Sequence, residues 1–295
     1  MSGAELSDLG ATLDDTFFVI AGLVLAVELV LAASRKQLEG RTFLDMFASV
    51  STQIPYLLVE VFVLSGVYVG YVLVSDAYIH WTLPLNAWTI FAALVACDFA
   101  YYWEHRLSHE VRLLWTQHAV HHSSRYMNVI VAIRFGPFEG VASGLIHLPL
   151  VLLGFPPELV FFGILTVLAY QGWLHTEYIG RLGILDEFLN TPSNHRVHHG
   201  SNPQYLDKNY GGISIVWDKL FGTYQPEVEP PRFGLKRDFE SVNPLIVWTS
   251  EWPGLIRDLR SAAGTRECLR ILFAHPDWIT ERHPAAAGHQ SASAE

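Results

Sequence analysis

Three uncharged runs of about twenty residues leave this chain little choice of environment. Residues 17–33 carry no charge apart from Glu28, residues 54–74 none apart from Glu60, and residues 83–103 none apart from Asp98. A helix needs about 20 such residues to cross a hydrocarbon core, and only a helix satisfies its own backbone there. Charged residues make up 16% of the 295, against roughly a quarter in soluble domains. The expectation is an all-α integral membrane helical bundle of about three spans.

Residues 140–174 behave differently. Two apolar limbs, 141–153 and 159–174, flank Gly154, Phe155, Pro156 and Pro157. Tandem prolines after a glycine break a helix. The segment predicts a helical hairpin that dips into the bilayer and returns to the side it left.

Basic residues suggest an orientation. Residues 1–16 contain none; the expected loop 34–53 contains Arg35, Lys36 and Arg41; residues 75–82 contain none; after Trp103 come Arg106, Arg112, Arg125 and Arg134. Positive residues favour the cytoplasmic side, so the N-terminus is expected outside and residue 104 onward inside. A bacterial inner membrane or an endoplasmic reticulum would satisfy this. The acidic start lacks the basic region of a signal peptide, so no cleavable targeting segment is expected. The formal net charge of −10 argues against a nucleic-acid partner. Cys97 and Cys268, far apart and outside any CxxC pattern, read as small apolar residues.

On the expected inner face lie the histidines. HAVHH at 118–122 and HRVHH at 195–199 repeat one spacing, and HRLSH at 105–109 precedes them. Residues three and four apart share a helix face, so each motif can aim its imidazoles one way. With 14 histidines in the chain, one HxxHH arises by chance in about 0.03 chains of this length, and two copies are far rarer. His105, His109, His118, His121, His122, His195, His198 and His199 exceed the three or four ligands of one zinc ion. They divide between two metals, each with four or five nitrogens. His175 is a ninth candidate, because the hairpin returns it to the same face. Imidazole suits Zn, Cu, Fe and Ni alike.

His147 reads as a packed histidine, and His80, His275, His283 and His289 as surface or interface residues. Asp98, seven residues before His105, is a candidate to orient His105 or His109 through a hydrogen bond. Glu104, Glu110 and Glu177 adjoin ligand candidates and read either as supports for them or as solvated carboxylates. Asp207, Asn209 and Trp217 are candidates to orient histidines or line a substrate entrance. Residues 211–224 fit either a short strand or a membrane-abutting helix. Residues 255–273 predict one amphipathic helix with Arg257, Arg260, Arg266 and Arg270 on its polar side, followed by a disordered tail. The organisation expected is a transmembrane region at 1–95, a catalytic domain at 96–225 containing the hairpin, and a cytoplasmic segment at 226–295.

HRLSH, HAVHHSS and NTPSNHRVHHGSNPQYLDKNYGGISIVWDKLFGTY together resemble the fatty acid hydroxylase / sterol desaturase superfamily, in its alkylglycerol monooxygenase-like branch. The resemblance covers residues 96–225. It implies a membrane enzyme with two histidine-ligated iron ions that uses O2 and two electrons on a lipid C–H bond from the bilayer. It implies all nine histidines as ligands, and Glu110 as the match to a glutamate important in that branch. Asn194 stands where relatives often carry another histidine. An external donor, a protein or a reduced pterin, would supply the electrons. Hydroxylation is the favoured outcome and desaturation the alternative. A membrane zinc hydrolase fits less well, because HEVRL lacks the second histidine of HExxH and HRLSH lacks its glutamate. A metal transporter would place its ligands near mid-bilayer, whereas these motifs lie beyond the span ends.

Overall fold

The computed structural model describes residues 3–34 and 40–278. Among these the chain is helical, and extended backbone pairs at one isolated bridge, Leu189 with Ser214. Two helices are long and apolar enough to cross a membrane: α1, Gly3–Ser34, and α2, Gly40–Tyr78. Both begin well before the uncharged runs that mark them, because the residues preceding those runs contain no proline to stop a helix. Arg41, expected in a loop, therefore stands in the first turn of α2. Arg35, Lys36, His283, His289 and the expected tail lie outside the described residues.

The third run becomes α3, Ala87–Glu110, started by Asn86, whose side chain accepts from Trp88 N at 3.0 Å and Thr89 N at 3.1 Å. Trp88, Phe91, Val95 and Phe99 recur every three or four residues along its outer face and are exposed. The opposite face packs against the hairpin, which is formed by α5, Glu139–Leu152, and α6, Pro157–Tyr170. Gly154 turns the hairpin at φ +85°, a backbone that glycine adopts without strain. Gly163 lets α6 approach α3, since a Cβ there would sit 2.5 Å from Cys97 Sγ. Small residues at such crossings permit close packing inside a membrane. Tyr71, Cys97, Val151, Val160 and Val167 fill the space where α2, α3, α5 and α6 meet.

The remaining helices are short. α4, Arg112–His122, follows α3 around a corner at Val111. α7 spans Pro192–His198 and α8 Val216–Phe221. Within residues 211–224, then, the chain makes one bridge at Ser214 and otherwise turns and helix. α9 is Pro244–Trp248. Where one amphipathic helix was expected over 255–273 there are two, α10, Trp252–Arg260, and α11, Thr265–Phe273, separated at Ser261–Gly264. Each alone is amphipathic, and each contributes one fully buried residue, Leu255 and Ile271, to a cluster that also holds Leu113 of α4.

Two buried charged groups tie the long helices to the rest. Glu28 of α1 accepts from Val129 N at 3.0 Å and holds the 3-10 turn Val129–Ile133. Arg134, fully buried, donates to Asp45 of α2 at 2.8 Å and to Val120 O and Ser123 Oγ beside the HAVHH motif.

Candidate metal centre

Four separated segments deliver nine imidazoles to one place. His105 and His109 lie on the last turns of α3, a turn apart. The α3–α4 corner reverses the chain so that His118, His121 and His122 face them from the end of α4. Thr191 caps α7 and Pro192 opens it, which sets His195 and His198 on one face and His199 at its end. His175 follows the 3-10 turn Gln171–Trp173, where the hairpin returns.

All nine are buried, and they fall into two groups. His105, His109, His118, His122 and His198 form the first; His121, His175, His195 and His199 form the second. Within each group the available nitrogens lie within 4.8 Å of one another. The groups adjoin at His122 and His199, whose rings stack with centroids 4.3 Å apart.

Tautomers explain what this arrangement can do. His105 Nδ1 meets Tyr210 O at 2.9 Å, His198 Nδ1 meets Lys208 O at 3.0 Å, and His175 Nδ1 meets Gln171 O at 3.2 Å. A carbonyl only accepts, so each Nδ1 carries the hydrogen and each Nε2 keeps its lone pair. Those Nε2 atoms converge: His105 on His118 at 3.0 Å, His198 on His122 at 3.1 Å, His175 on His195 at 2.9 Å and on His121 at 3.1 Å. His109 Nε2 is buried with no partner. Nine buried rings converging through nitrogens that have few partners besides one another are what a cation needs and what a plain core would avoid. The donor set fits two metal ions. Burial, with neighbouring imidazoles adding to it, also lowers His118, His121, His122, His195, His198 and His199 well below 6.5, and burial holds His175 down at about 3. These rings therefore stay neutral, as ligation requires.

The candidate supporting residues divide. Asp98 accepts from Ile213 N at 2.6 Å, Ser214 N at 3.1 Å and Trp217 Nε1 at 2.8 Å, and bonds to neither His105 nor His109. Seven helical residues separate it from His105 by about 10 Å along the axis, too far for a short side chain. It anchors the loop before α8 instead, with Trp217 as a partner. Asn209, at φ +58°, donates to Asn194 O and Gln225 O and accepts from Gln225 N, so its side chain bonds the loop behind α7 rather than a histidine. Asn194 donates to Asp186 O and Leu189 O, outside both groups. Glu110 pairs with Arg106 at 2.8 Å. His147 is packed as expected, with Nδ1 on Ser143 O at 3.0 Å and Nε2 near Cys97 O at 3.3 Å.

Asp207 does reach a histidine: its Oδ1 is 3.5 Å from His109 Nδ1, and its Oδ2 is 3.5 Å from His275 Nε2. Burial alone would raise its carboxyl, but the two imidazoles hold it below its usual range. His275, expected to be a surface or interface residue, lies at the rim of the centre beside Asp207.

Two cavities meet the histidines from different sides. One, of about 610 Å³, is lined by His105, His118, His121 and His175 and by apolar residues of α1 and α6 such as Phe17, Leu25 and Leu168. The other, of about 430 Å³, reaches His109, His122, His198 and His199 past Trp115, Lys236, Arg237 and His275.

Residues 90–223 match the model of the fatty acid hydroxylase family. The chain is 37% identical over 238 residues to alkylglycerol monooxygenase of Danio rerio, an overlap covering 79% of this chain and 52% of that protein. It is 38% identical over 148 residues to the ornithine lipid hydroxylase OlsE of Rhizobium tropici, covering 50% and 44%. It is 28% identical over 192 residues to a Delta(7)-sterol 5(6)-desaturase of Eremothecium gossypii, covering 63% and 50%. The chain thus spans about half the length of these curated relatives. No solved structure matches it significantly. Residues 90–223, the part that matches the fatty acid hydroxylase family model, contain every one of the nine converging histidines.

Proposed function

We propose that the protein is an integral membrane oxygenase that holds two iron ions and hydroxylates a C–H bond of a lipid. One O2 and two electrons, with two protons, give an alcohol and water. Unactivated C–H bonds resist acid–base chemistry, and bound iron supplies the redox chemistry they need. The protein's own residues do the rest. The two histidine groups hold one ion each. The carbonyls of Tyr210, Lys208 and Gln171 and the carboxylate of Asp207 fix ring orientation. Asp98, Asn209 and the Glu110–Arg106 pair act as positioning residues.

The larger cavity is the lipid site. Its apolar wall excludes water from the histidines, and α1, whose Phe18, Leu23 and Val30 are exposed, helps to line it. The smaller cavity, which Lys236, Arg237 and His275 help to line, offers an external donor, a protein or reduced pterin, a route to the other side of the centre. In this reading the N-terminus is outside and the centre lies on the cytoplasmic side, in a bacterial inner membrane or the endoplasmic reticulum.

One observation carries the reading: nine buried imidazoles converge in two groups beside an apolar cavity. The test combines metal analysis of the purified protein with lipid mass spectrometry of cells that do or do not express it, with His121→Ala as control. Stoichiometric iron and a lipid gaining one oxygen are expected. Loss of two hydrogens would shift the reading to desaturation. Zinc with no O2-dependent product would overturn it.

A further inference from the structure

The larger cavity lies between two long helices that scarcely meet. α1 packs on α6 and α2 on α5, and among the described residues α1 and α2 barely touch each other. Phe17, Gly22 and Leu25 of α1 nevertheless line the same cavity as Tyr56 and Leu64 of α2. All five belong to the uncharged runs 17–33 and 54–74, the stretches suited to a hydrocarbon core. The 3-10 turn Val129–Ile133 straps this gap at one end. Glu28 of α1 accepts from Val129 N at 3.0 Å, and Gln53 of α2 donates to Ile133 O. Both anchors stand where the chain passes from α1 to α2, so the strap covers that end of the gap and no other part of it. Phe18, 80% exposed, and Gly22, exposed as well, line the cavity one helical turn apart and form a lip of the opening. A Cβ on Gly22 would meet nothing within 4 Å.

We propose that an alkyl chain enters this cavity sideways from the bilayer, between α1 and α2, and that Gly22 is the threshold residue that decides how bulky a chain can pass. The proposal rests on reading the larger cavity as the lipid site. A chain on this route stays in apolar surroundings from bilayer to cavity. A route past the strap would instead break the hydrogen bonds to Glu28 and Gln53. Because the space beside Gly22 is open, a side chain there narrows the opening without striking a neighbour. One methyl group is then enough to hinder a methyl-branched chain, and an indole hinders any chain.

Photolabelling tests this without turnover. Two alkanes of equal length, one straight and one methyl-branched, each carry a terminal diazirine. The full chain in nanodiscs is irradiated with either probe, and adducts are located by peptide mass spectrometry. Adducts on Tyr101 and Ile164 report the cavity, which both residues line. Adducts on Leu58 and Phe62, exposed on α2 and outside the cavity, report the surrounding lipid. Gly22→Trp should lower cavity labelling by both probes about tenfold and leave labelling of Leu58 and Phe62 unchanged. Val27→Trp, on an exposed part of α1 that does not line the cavity, should change neither. Gly22→Ala, which favours the helix, should hinder the branched probe more than the straight one, and it carries the test if the tryptophan variant does not fold. Full cavity labelling in Gly22→Trp, an equal loss in Val27→Trp, or equal effects of Gly22→Ala on the two probes overturns the proposal. Absence of cavity labelling in the native protein would instead overturn the reading of the larger cavity as the lipid site, and the route with it.

Discussion

Asp207 Oδ1 lies 3.5 Å from His109 Nδ1, although almost a hundred residues separate the two in the chain. Its backbone sits at φ +57°, a region that asparagine tolerates at least as well as aspartate. Asp207→Asn therefore removes the charge and spares the turn. Supports of this kind are worth about 10–100-fold in metal affinity, so the variant should surrender its metal to a chelator with a correspondingly lower midpoint while remaining folded. Acid should act on the same rings from another direction. The imidazoles of His118, His121, His122, His195, His198 and His199 lie well below 6.5 in the folded state. The unfolded chain, with ordinary histidines, binds more protons below that value, so stability falls as pH drops through about 6.5. Ligation, which requires neutral rings, falls in the same direction. A thermal midpoint that fails to drop between neutral pH and about pH 5 would contradict this. The ligand candidates were legible in the sequence because a helix converts spacing directly into direction. Asp207 and His275 were harder to place because loops bring them to the centre, and Asp98 misled because sharing a face is not the same as being within reach.

Elements depend on links that spacing does not reveal. The histidine-bearing α4 is held to α2 by Arg134, which has no exposed surface and bonds to Asp45 at 2.8 Å. Breaking a buried pair by removing one partner strands the other charge and costs about 3–5 kcal/mol. Asp45→Ala should lower stability by that order in a denaturation series and release metal as the end of α4 loosens. An unchanged midpoint would mean that Arg134 finds other partners. The long helices, the hairpin and its Gly154 turn were readable because uncharged length and proline placement are local signals. The break between α10 and α11 was not, since arginines recur at helical spacing on both sides of Ser261–Gly264 and the pattern runs straight through. The starts of α1 and α2 were also hidden: uncharged runs mark the part suited to a membrane, while a helix extends wherever nothing stops it.

At the scale of the whole molecule, the exposed apolar residues and the histidines take different places. Phe18, Leu23 and Val30 on α1, Leu58 and Phe62 on α2, and Trp88 and Phe91 on α3 face outward, as they would toward lipid. The centre is built by residues at or beyond the end of α3, and the C-terminal helices pack around it. Ile271 of α11 shares a cluster with Leu113 of α4, so α11 lies on the same side of any bilayer as the histidines. That packing makes a native residue into a reporter. Cys97 is fully buried and Cys268 of α11 is partly exposed, so a thiol reagent should read Cys268 alone. If basic residues set the orientation as proposed, a membrane-impermeant maleimide added to intact spheroplasts or right-side-out vesicles leaves the protein unlabelled. Permeabilisation should then give one label per chain, lost in Cys268→Ser. Labelling before permeabilisation would place α11, and the metal centre packed beside it, on the outer face, and the positive residues after Trp103 would need another explanation.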